Sequence, residues 1–463
     1  MRVGFSKIII TPDLSNRKKP LQMAGYFPRD YCTGVNDDVY ARGVFIEIDE
    51  DMHGKNILLI SCDLIGLNNN ITNILRRKIS EKLPIPFENI VICCTHTHSS
   101  VDYSNFFVPG SMLSAIKSFL FALPNHKDLL IMMKEVINMS QEAYNNKRKA
   151  KIGAAQTFIP EEERVMINRR YPNDKEKAQY PITTIKVISD EENDKGEIFG
   201  IIFNYAIHGT VFPRESTLLS ADWIGQAVKY IEDKYHQKNL NVIYFNGCCA
   251  DINPMSENLL EKDFSKITPK DLYNQIGNWQ DVQRIGKIVG KNALKNIDNI
   301  ECIDNSDAIV INKNLKIHLN APPFGNSLLQ TFWRFIFNAK LKLMSHLRKY
   351  VKNKGLKFVN YQECNGEKFI ITSIHVIYFA NIAICSAPGE YFLELGEEVL
   401  KVAREITPNS FIVELANDSI GYIYPISEFF VGGYEPLISL APMAGEIITM
   451  NLKKLLREIK KKS

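Results

Sequence analysis

Short apolar runs rich in β-branched residues alternate with longer amphipathic segments along most of the chain. The runs have the length of β-strands, and the segments between them, of roughly 10 to 20 residues, have the periodicity of helices. The predicted strands cover residues 44–48, 57–61, 90–94, 183–187, 198–203, 242–245, 375–379, 382–385 and 411–415. The predicted helices cover residues 71–82, 131–143, 224–235, 282–296, 393–406 and 442–460. This alternation predicts an α/β fold with mixed β-sheets flanked by helices, as a single large domain over residues 1–463.

Composition excludes several classes of protein. The chain has 463 residues, of which 45% are hydrophobic and 23% charged, so it can bury a large core without disulfides. The net charge of +4 is too small for a general nucleic-acid binder, and we expect no nucleic-acid partner. Because no apolar stretch approaches about 18 residues, the sequence predicts no transmembrane helix.

The cysteines and the start of the chain bear on the compartment. The chain begins MRVGFSKIIITPDL, which lacks the apolar core and cleavage site of a signal peptide. There are nine cysteines, including the adjacent pairs Cys93-Cys94 and Cys248-Cys249, and none lies in a C-x-x-C pattern. An odd number of cysteines without a secretory signal predicts reduced, mostly buried thiols and a cytoplasmic protein.

One segment differs in charge from the rest of the chain. Residues 308–362 contain no Asp or Glu but include basic residues throughout, and we treat about 313–360 as a basic insertion. Residues 327–350 have an aromatic and aliphatic face and a basic face, which predicts an amphipathic helix. Such a helix can lie on an anionic membrane, giving peripheral membrane association, or pack its apolar face on the protein core. The sequence pattern is the same for a helix on a membrane and for a helix packed on the core.

Histidines follow two of the predicted strands. In VICCTHTHSS, His96 and His98 come directly after the strand of residues 90–94, and in IIFNYAIHGTVF, His208 follows the strand of residues 198–203. On an extended backbone, His96 and His98 would point to the same side. Imidazole is a common metal ligand and titrates near neutral pH, so the pattern indicates a metal or catalytic site. A purely structural pair of histidines is the alternative.

Carboxylates and amides follow other strands. Asp222 in LSADWIG either caps the helix that follows or orients a ligating histidine. Asp251 and Asn253 in VIYFNGCCADINP either stabilise a turn or face a site.

Two further motifs lie in the C-terminal part of the chain. Glu390 in CSAPGEYF begins a helix, where a carboxylate is favoured by the helix dipole and could also face a site. The segment ANDSIGYIYPISEFFVGGYEP contains Tyr422, Tyr424 and Tyr434, which are candidates either for a site or for the core.

Taken together and in this order, these motifs resemble the neutral (non-lysosomal) ceramidase family over most of residues 1–450. The opening GFSKIIITPD…MAGYFPRD…GVNDDVYARG is similar to the family's D-I-T-P turn, M-x-G-Y segment and R-A strand. The matching residues are Met23, Gly25, Tyr26, Ala41 and Arg42. Members of this family are zinc amidohydrolases that cleave the N-acyl bond of ceramide. The resemblance therefore implies a role in sphingolipid metabolism and an N-acyl substrate, of a lipid or related kind.

The resemblance also implies a set of metal ligands. One Zn²⁺ per chain would be held by His96, His208, Glu390 and Tyr422. Zinc accepts nitrogen and oxygen ligands in a tetrahedron, and at catalytic sites it lowers the pKa of a bound water to about 7.

The same comparison assigns roles around the metal. His98 would pass a proton to the leaving amine, and Arg169 in MINRRYPN or Asn253 would stabilise the developing oxyanion. Asp222, Asp251 and Tyr434 would bind substrate or support the ligands.

The sequence departs from the family pattern in three places. The family carries serine in G-D-x-S-P-N, whereas this chain has Ala250-Asp251-Ile252-Asn253-Pro254, so we expect no covalent acyl-enzyme at Asn253. From this sequence we expect neither the family's C-terminal immunoglobulin-like domain nor the secretory signal of many members. We expect a zinc-dependent amidohydrolase acting on an N-acyl bond. The alternatives are a zinc hydrolase of a non-lipid amide or ester, and a non-catalytic lipid-binding homologue.

Overall fold

The computed structural model describes the chain except for residues 16, 18, 19, 27, 28, 49–52, 105–125, 236–239, 274–276, 305, 306, 320–360, 365, 366, 440 and 463. The strands are β1 (Arg2–Ile9), β2 (Gly34–Val35), β3 (Tyr40–Glu47), β4 (Ile57–Cys62), β5 (Ile90–Cys94), β6 (Arg148–Thr157), β7 (Met166–Asn168), β8 (Ile182–Ser189), β9 (Ile198–Tyr205), β10 (Leu218–Leu219), β11 (Asn241–Asn246), β12 (Ile252–Pro254), β13 (Ala308–His318), β14 (Tyr361–Cys364), β15 (Glu367–Phe379), β16 (Ile382–Ser386), β17 (Glu390–Tyr391), β18 (Ser410–Val413) and β19 (Tyr422–Ile423). The α-helices are α1 (Asn69–Ser80), α2 (His126–Asn145), α3 (Asp222–Tyr235), α4 (Glu257–Leu260), α5 (Pro269–Tyr273), α6 (Trp279–Ala293), α7 (Leu393–Ala403), α8 (Ile426–Val431), α9 (Tyr434–Ile438) and α10 (Ala444–Lys460).

Most strands belong to two mixed sheets. The first has the order β11-β9-β8-β6-β1-β3-β4-β5 and is antiparallel except for the parallel pairs β9–β11 and β4–β5 at its two ends. The second contains β13-β15-β16-β18, with β14 also paired to β15, and its β16–β18 pair is parallel. Each of the three parallel pairs ends in a loop that carries polar residues.

The two sheets face each other across an apolar layer. Val44 and Phe245 of the first sheet and Phe379 and Phe411 of the second are buried together there. Because successive side chains of a strand point to opposite faces, each sheet also has a second apolar face, against which helices pack. Helices α1 and α2 cover one half of the outer face of the first sheet, α3 and α6 cover the other half, and α7 and α10 cover the second sheet. The prediction of an α/β fold with mixed sheets flanked by helices is confirmed.

The structure corrects some details of the predicted elements. The predicted strand of residues 375–379 is the end of the longer β15, and β1, β6 and β13 were not predicted. Because β13 extends to His318, the first residues of the predicted basic insertion at 313–360 belong to this strand. The predicted amphipathic helix of residues 327–350 lies outside the described residues. Among the described helices, none combines the length and the apolar character needed to cross a membrane.

Candidate metal centre

Three imidazoles converge at the carboxyl ends of β5 and β9. Nε2 of His96 lies 3.2 Å from Nε2 of His208 and 3.2 Å from Nε2 of His98. His96 and His208 are each at most 2% exposed, and His98 is 9% exposed. The candidate ligand atoms of all three lie within 4.8 Å of one another. Such a cluster of buried imidazoles is typical of a metal site.

Backbone carbonyls orient two of these rings. Nδ1 of His96 lies 2.7 Å from the carbonyl oxygen of Ile65, and Nδ1 of His208 lies 2.5 Å from that of Cys249. A carbonyl only accepts, so each Nδ1 carries the proton and donates it. In their neutral form both rings therefore present an Nε2 lone pair to the cluster, which is the tautomer that a metal ligand needs.

Glu390 adds a carboxylate oxygen to the cluster. Its Oε2 lies 3.3 Å from Nε2 of His96 and 3.4 Å from Nε2 of His208. This oxygen is buried and accepts no hydrogen bond of good geometry in the described part of the chain. A zinc ion held at about 2.0–2.1 Å by four tetrahedral ligands separates those ligands by about 3.3–3.4 Å. The donor set and its spacing therefore fit a zinc ion.

The charges of the cluster are strongly coupled. Burial and the neighbouring imidazoles hold the pKa of His98 well below its usual value, and burial lowers the pKa of His208 to about 4. For His96, burial opposes protonation, but Glu390 outweighs it and raises the pKa. Although burial acts in the opposite direction, the charge of His96 keeps the pKa of Glu390 well below normal. A cluster whose carboxylate already favours a positive charge on the neighbouring His96 is electrostatically suited to a cation.

The two histidines of the T-H-T-H motif converge for a different reason from the one predicted. Strand β5 ends at Cys94, and His96 has a φ of +64° rather than an extended backbone. The turn brings the two side chains together, and His98 then joins the second motif, because its N–H donates to the carbonyl of Gly209 at 2.9 Å. A left-handed non-glycine residue is uncommon and is often found at functional sites.

Tyr422 lies beside Glu390. The parallel pair β17–β19 aligns the two residues directly, so their side chains leave the pair on the same face. The Tyr422 ring is 4% exposed and packs edge-on against Tyr434, with 5.8 Å between the ring centroids. Tyr434 is 45% exposed and so lies at the outer edge of this group. Tyr424, the other candidate tyrosine, is buried against Phe392 in the core.

Arg169 lies next to Tyr422 and links the site to Asn253. Its guanidinium lies 5.4 Å from the centroid of the Tyr422 ring, and its Nη1 donates to Oδ1 of Asn253 at 3.3 Å. Its Nε donates to Glu435 at 2.7 Å. The other end of the Asn253 amide is also used, since Nδ2 donates to the carbonyl of Leu272 at 3.1 Å. Asn253 is therefore placed to hold Arg169, with one of its two amide N–H groups already used.

The two predicted aspartates support loops. Asp222 accepts from the backbone N–H groups of Phe212 and Trp223 at 3.0 and 2.7 Å. Because these bonds lie beside the loop after His208, Asp222 shapes that loop through backbone N–H groups rather than through a histidine ring. Asp251 accepts from the N–H of Leu393 at 3.0 Å and from Asn168 at 2.7 Å, so it joins the start of α7 to β7. Burial raises the pKa of both aspartates to about 6.

Sequence reasoning missed several residues that position the site. Tyr26 packs edge-on against the ring of His98, with 5.1 Å between centroids, and Arg29 donates to the backbone carbonyl of His98 at 2.7 Å. Glu414 accepts from the N–H of Tyr391 at 2.9 Å and from that of Cys249 at 3.2 Å. The M-x-G-Y segment was a signal for Tyr26, but nothing near Glu414 in the sequence indicates its contacts.

Comparison with known proteins places the chain in a family. Residues 2–260 match the family model described as "Neutral/alkaline non-lysosomal ceramidase, N-terminal". A crystal structure of neutral ceramidase from Pseudomonas aeruginosa is similar, with a TM-score of 0.71 and 14% sequence identity over 100% of this chain and 74% of that chain. A structure titled "Ceramidase complexed with C2" has a TM-score of 0.70 and 14% identity over 100% of this chain and 75% of its own. No curated protein matches the sequence. Since the family match covers more than half of its residues, this chain belongs to the neutral/alkaline non-lysosomal ceramidase family.

Proposed function

We propose that this protein is a zinc-dependent amidohydrolase that cleaves the N-acyl bond of ceramide or of a related N-acyl lipid. One observation carries the proposal: three buried imidazoles have ligand atoms within 4.8 Å of one another, and Oε2 of Glu390 lies 3.3–3.4 Å from two of them. The two similar structures are described as ceramidases, which supports ceramide as the first substrate to test.

His96, His208, Glu390 and Tyr422 are the proposed metal ligands. When bound, zinc polarises a carbonyl group and lowers the pKa of water, so that water can attack at neutral pH. The carbonyls of Ile65 and Cys249 keep two of the ligands in the required tautomer. His98 lies as close to His96 as His208 does, so its side chain can serve as a further ligand or exchange a proton with the leaving amine.

Arg169 is the proposed stabiliser of negative charge on the substrate. Its guanidinium lies beside the Tyr422 ring, and Glu435 and Asn253 fix it from two directions. A fixed donor stabilises a developing oxyanion without reorganising during the reaction. Asn253 has no proton to lose near neutral pH, so the route that fits this chain is direct attack by water, without an acyl-enzyme at this position.

Metal content and hydrolysis together test the proposal. Purified protein that has not met a chelator should contain about one zinc per chain and release fatty acid from a short-chain fluorescent ceramide. His208→Ala should lose both the zinc and the activity. His318→Ala is the matched control, because this histidine is 40% exposed and lies on β13, away from the cluster. Full zinc content in His208→Ala would reject the ligand set, whereas zinc without turnover of any N-acyl substrate would indicate a non-catalytic homologue.

The asparagine at position 253 favours a second candidate substrate class. Where the family motif has serine, a carboxamide is bonded to both Arg169 and the Leu272 carbonyl. A substrate group that contacts the family serine would meet a different surface here, which favours a smaller, non-lipid amide or ester. A panel of N-acyl amino acids, simple anilides and ceramides of graded chain length separates the two candidates. Higher kcat/KM for the non-lipid amides would reject the ceramide assignment while leaving the hydrolase assignment in place.

A further inference from the structure

A polar cleft lies between α1 and the second sheet. Its volume is about 360 Å³, and the helix contributes Asn69, Asn73 and Arg76, which lie along one helical face. On the sheet, Asn312 of β13 is paired with His375 of β15, and both line the same cleft. The contact between a helix and a sheet is usually apolar, so polar groups on both sides require another explanation.

Arg76 is a buried charged group of this cleft. The residue is 3% exposed, and its guanidinium stacks on the ring of Phe87 at 3.9 Å. Its donors reach only neutral oxygens, with Nη1 at 3.2 Å from Oδ1 of Asn73 and Nη2 at 3.0 Å from the carbonyl of Phe87. Burial lowers the pKa of Arg76 to about 10, so the guanidinium is still charged at neutral pH.

No carboxylate of the described residues forms an ion pair with Arg76. A buried charge is normally paired, because removing it from water is costly. Glu88 also lines the cleft, but its side chain is exposed and acts on Arg76 only as a neighbouring charge that opposes the effect of burial on its pKa. Arg76 therefore has an open position for an anionic group.

His375 gives a second, independent sign of a missing partner. It is 1% exposed, and its Nδ1 lies 3.2 Å from Oγ of Ser386. The backbone of Glu88 forms a weak hydrogen bond with the ring, but Nε2 makes none of good geometry. Buried ring nitrogens are normally well satisfied, so a ligand hydroxyl group in the cleft can complete the hydrogen bonding of this one.

We propose that the cleft binds a small metabolite whose phosphate group pairs with Arg76 and whose hydroxyl groups contact the surrounding amides and His375. The volume of the cleft is that of a small-molecule site. Asn side chains can both donate hydrogen bonds to hydroxyl groups and accept them. None of the cleft residues named here is a proposed metal ligand or catalytic group. The inference is therefore independent of the proposed hydrolase activity.

Isothermal titration calorimetry on the full chain tests this site with glycerol 3-phosphate, inorganic phosphate and, as the neutral comparison, glycerol, all at constant ionic strength. We expect 1:1 binding of glycerol 3-phosphate and none of glycerol. Arg76→Gln should weaken binding by about tenfold or more, because a hydrogen-bonded charge pair is lost. Arg77→Gln is the matched control, because Arg77 is the next residue on the same helix and its side chain is exposed. Glu88→Gln should leave binding unchanged or strengthen it.

Further variants keep the result interpretable. If Arg76→Gln does not fold, Asn314→Ala, at an exposed position of the same cleft, should weaken binding severalfold without loss of secondary structure. His208→Ala should bind the probe like the wild type, which separates this site from the metal centre. Co-sedimentation with phosphatidylglycerol vesicles without binding of the soluble probe would identify a lipid headgroup as the source of the anion. Equal loss of binding in Arg77→Gln, or no binding of any phosphate probe or vesicle, would overturn the proposal.

Discussion

At the scale of single residues, His98 is held against a glycine that tolerates no side chain. Gly25 has a φ of +105°, and a Cβ at this position would lie 2.5 Å from both Cβ and the carbonyl oxygen of His98. We expect Gly25→Ala to destabilise the fold by about 1 kcal/mol or more, because both the φ and the clash disfavour alanine. Since His98 must move, kcat/KM should also fall. Urea unfolding and ceramide hydrolysis measure the two effects.

Gly54→Ala is the matched control for this substitution. Gly54 has no atom within 4 Å of the added Cβ and no positive φ. The stability of Gly54→Ala should stay within about 0.5 kcal/mol of the wild type, as for most surface substitutions. Equal stability and activity of Gly25→Ala and Gly54→Ala would show that the M-x-G-Y segment does not position His98.

Asn253 contacts the proposed stabiliser of negative charge, Arg169. It holds Arg169 through Oδ1, so Asn253→Ala should release the guanidinium and lower kcat by about 10- to 100-fold, as misplaced catalytic groups do. Zinc content should not change, since Asn253 is not a proposed ligand. Asn299→Ala, at an exposed position, is the control. Steady-state kinetics and elemental analysis give both readouts, and loss of zinc in Asn253→Ala would contradict this assignment.

The chemistry at Asn253 can be tested in the wild type as well. A side-chain amide does not become a nucleophile near neutral pH, so no acyl group should accumulate on it. Single-turnover reactions quenched and digested for mass spectrometry report this directly. An acylated peptide containing Asn253 would overturn direct attack by water.

At the scale of the elements, one buried carboxyl joins the loops that carry two proposed ligands. Glu414 follows β18 and accepts from Asn246 at 2.8 Å, as well as from the N–H groups of Cys249 and Tyr391. Cys249 in turn holds His208, and Tyr391 follows Glu390. All of these partners donate, so the side chain at this position must offer two acceptor oxygens.

Glu414→Gln tests this connection. The amide replaces one acceptor with a donor that faces other donors, which we expect to cost about 1–3 kcal/mol of stability. Because both loops lose a fixed point, zinc affinity should fall by about 10- to 100-fold. Competition with a zinc chelator and thermal unfolding measure the two effects. Glu398→Gln removes only an exposed ion pair with Lys453, so it should leave zinc affinity and thermal stability unchanged. A similar loss in Glu398→Gln would mean that Glu414→Gln acts through the net charge and not through its hydrogen bonds.

The elements that could be predicted are those with a strong local pattern. The strand of residues 90–94 agrees with β5, and the helix of residues 393–406 begins where α7 begins, because each combines an apolar pattern with a clear terminus. Strand β6 was missed because its sequence RKAKIGAAQT has few large apolar residues, and six of its ten positions are only partly buried.

The candidate site was only partly accessible to the same reasoning. Imidazoles and carboxylates can be recognised in a sequence, and their assignment as ligands depended on the family resemblance. The groups that orient them are the carbonyls of Ile65 and Cys249 and the side chain of Glu414, which is distant in sequence from the residues that it holds. Backbone carbonyls have no residue-type signature, and such contacts exist only once the strands have been arranged in sheets.

At the scale of the whole molecule, the proposed ligands come from both sheets. His96 and His208 follow β5 and β9 of the first sheet, while Glu390 and Tyr422 follow β16 and β18 of the second. An ion bound to all four would connect the two layers at their carboxyl ends. Free energy of binding to the native state adds directly to stability, by about 2.7 kcal/mol when free zinc is a hundredfold above its Kd.

Removal of the metal should therefore lower thermal stability as well as activity. We expect the unfolding midpoint to fall after dialysis against a chelator and to recover with Zn²⁺, but not with Mg²⁺, which prefers octahedral oxygen ligands. The His208→Ala variant is the decisive control, because it should unfold at the same temperature with and without chelator. A midpoint that is unchanged in the wild type would mean that the two sheets hold together without the ion and that the metal contributes only to chemistry. A chelator-dependent midpoint in His208→Ala would instead place the stabilising ion elsewhere in the molecule.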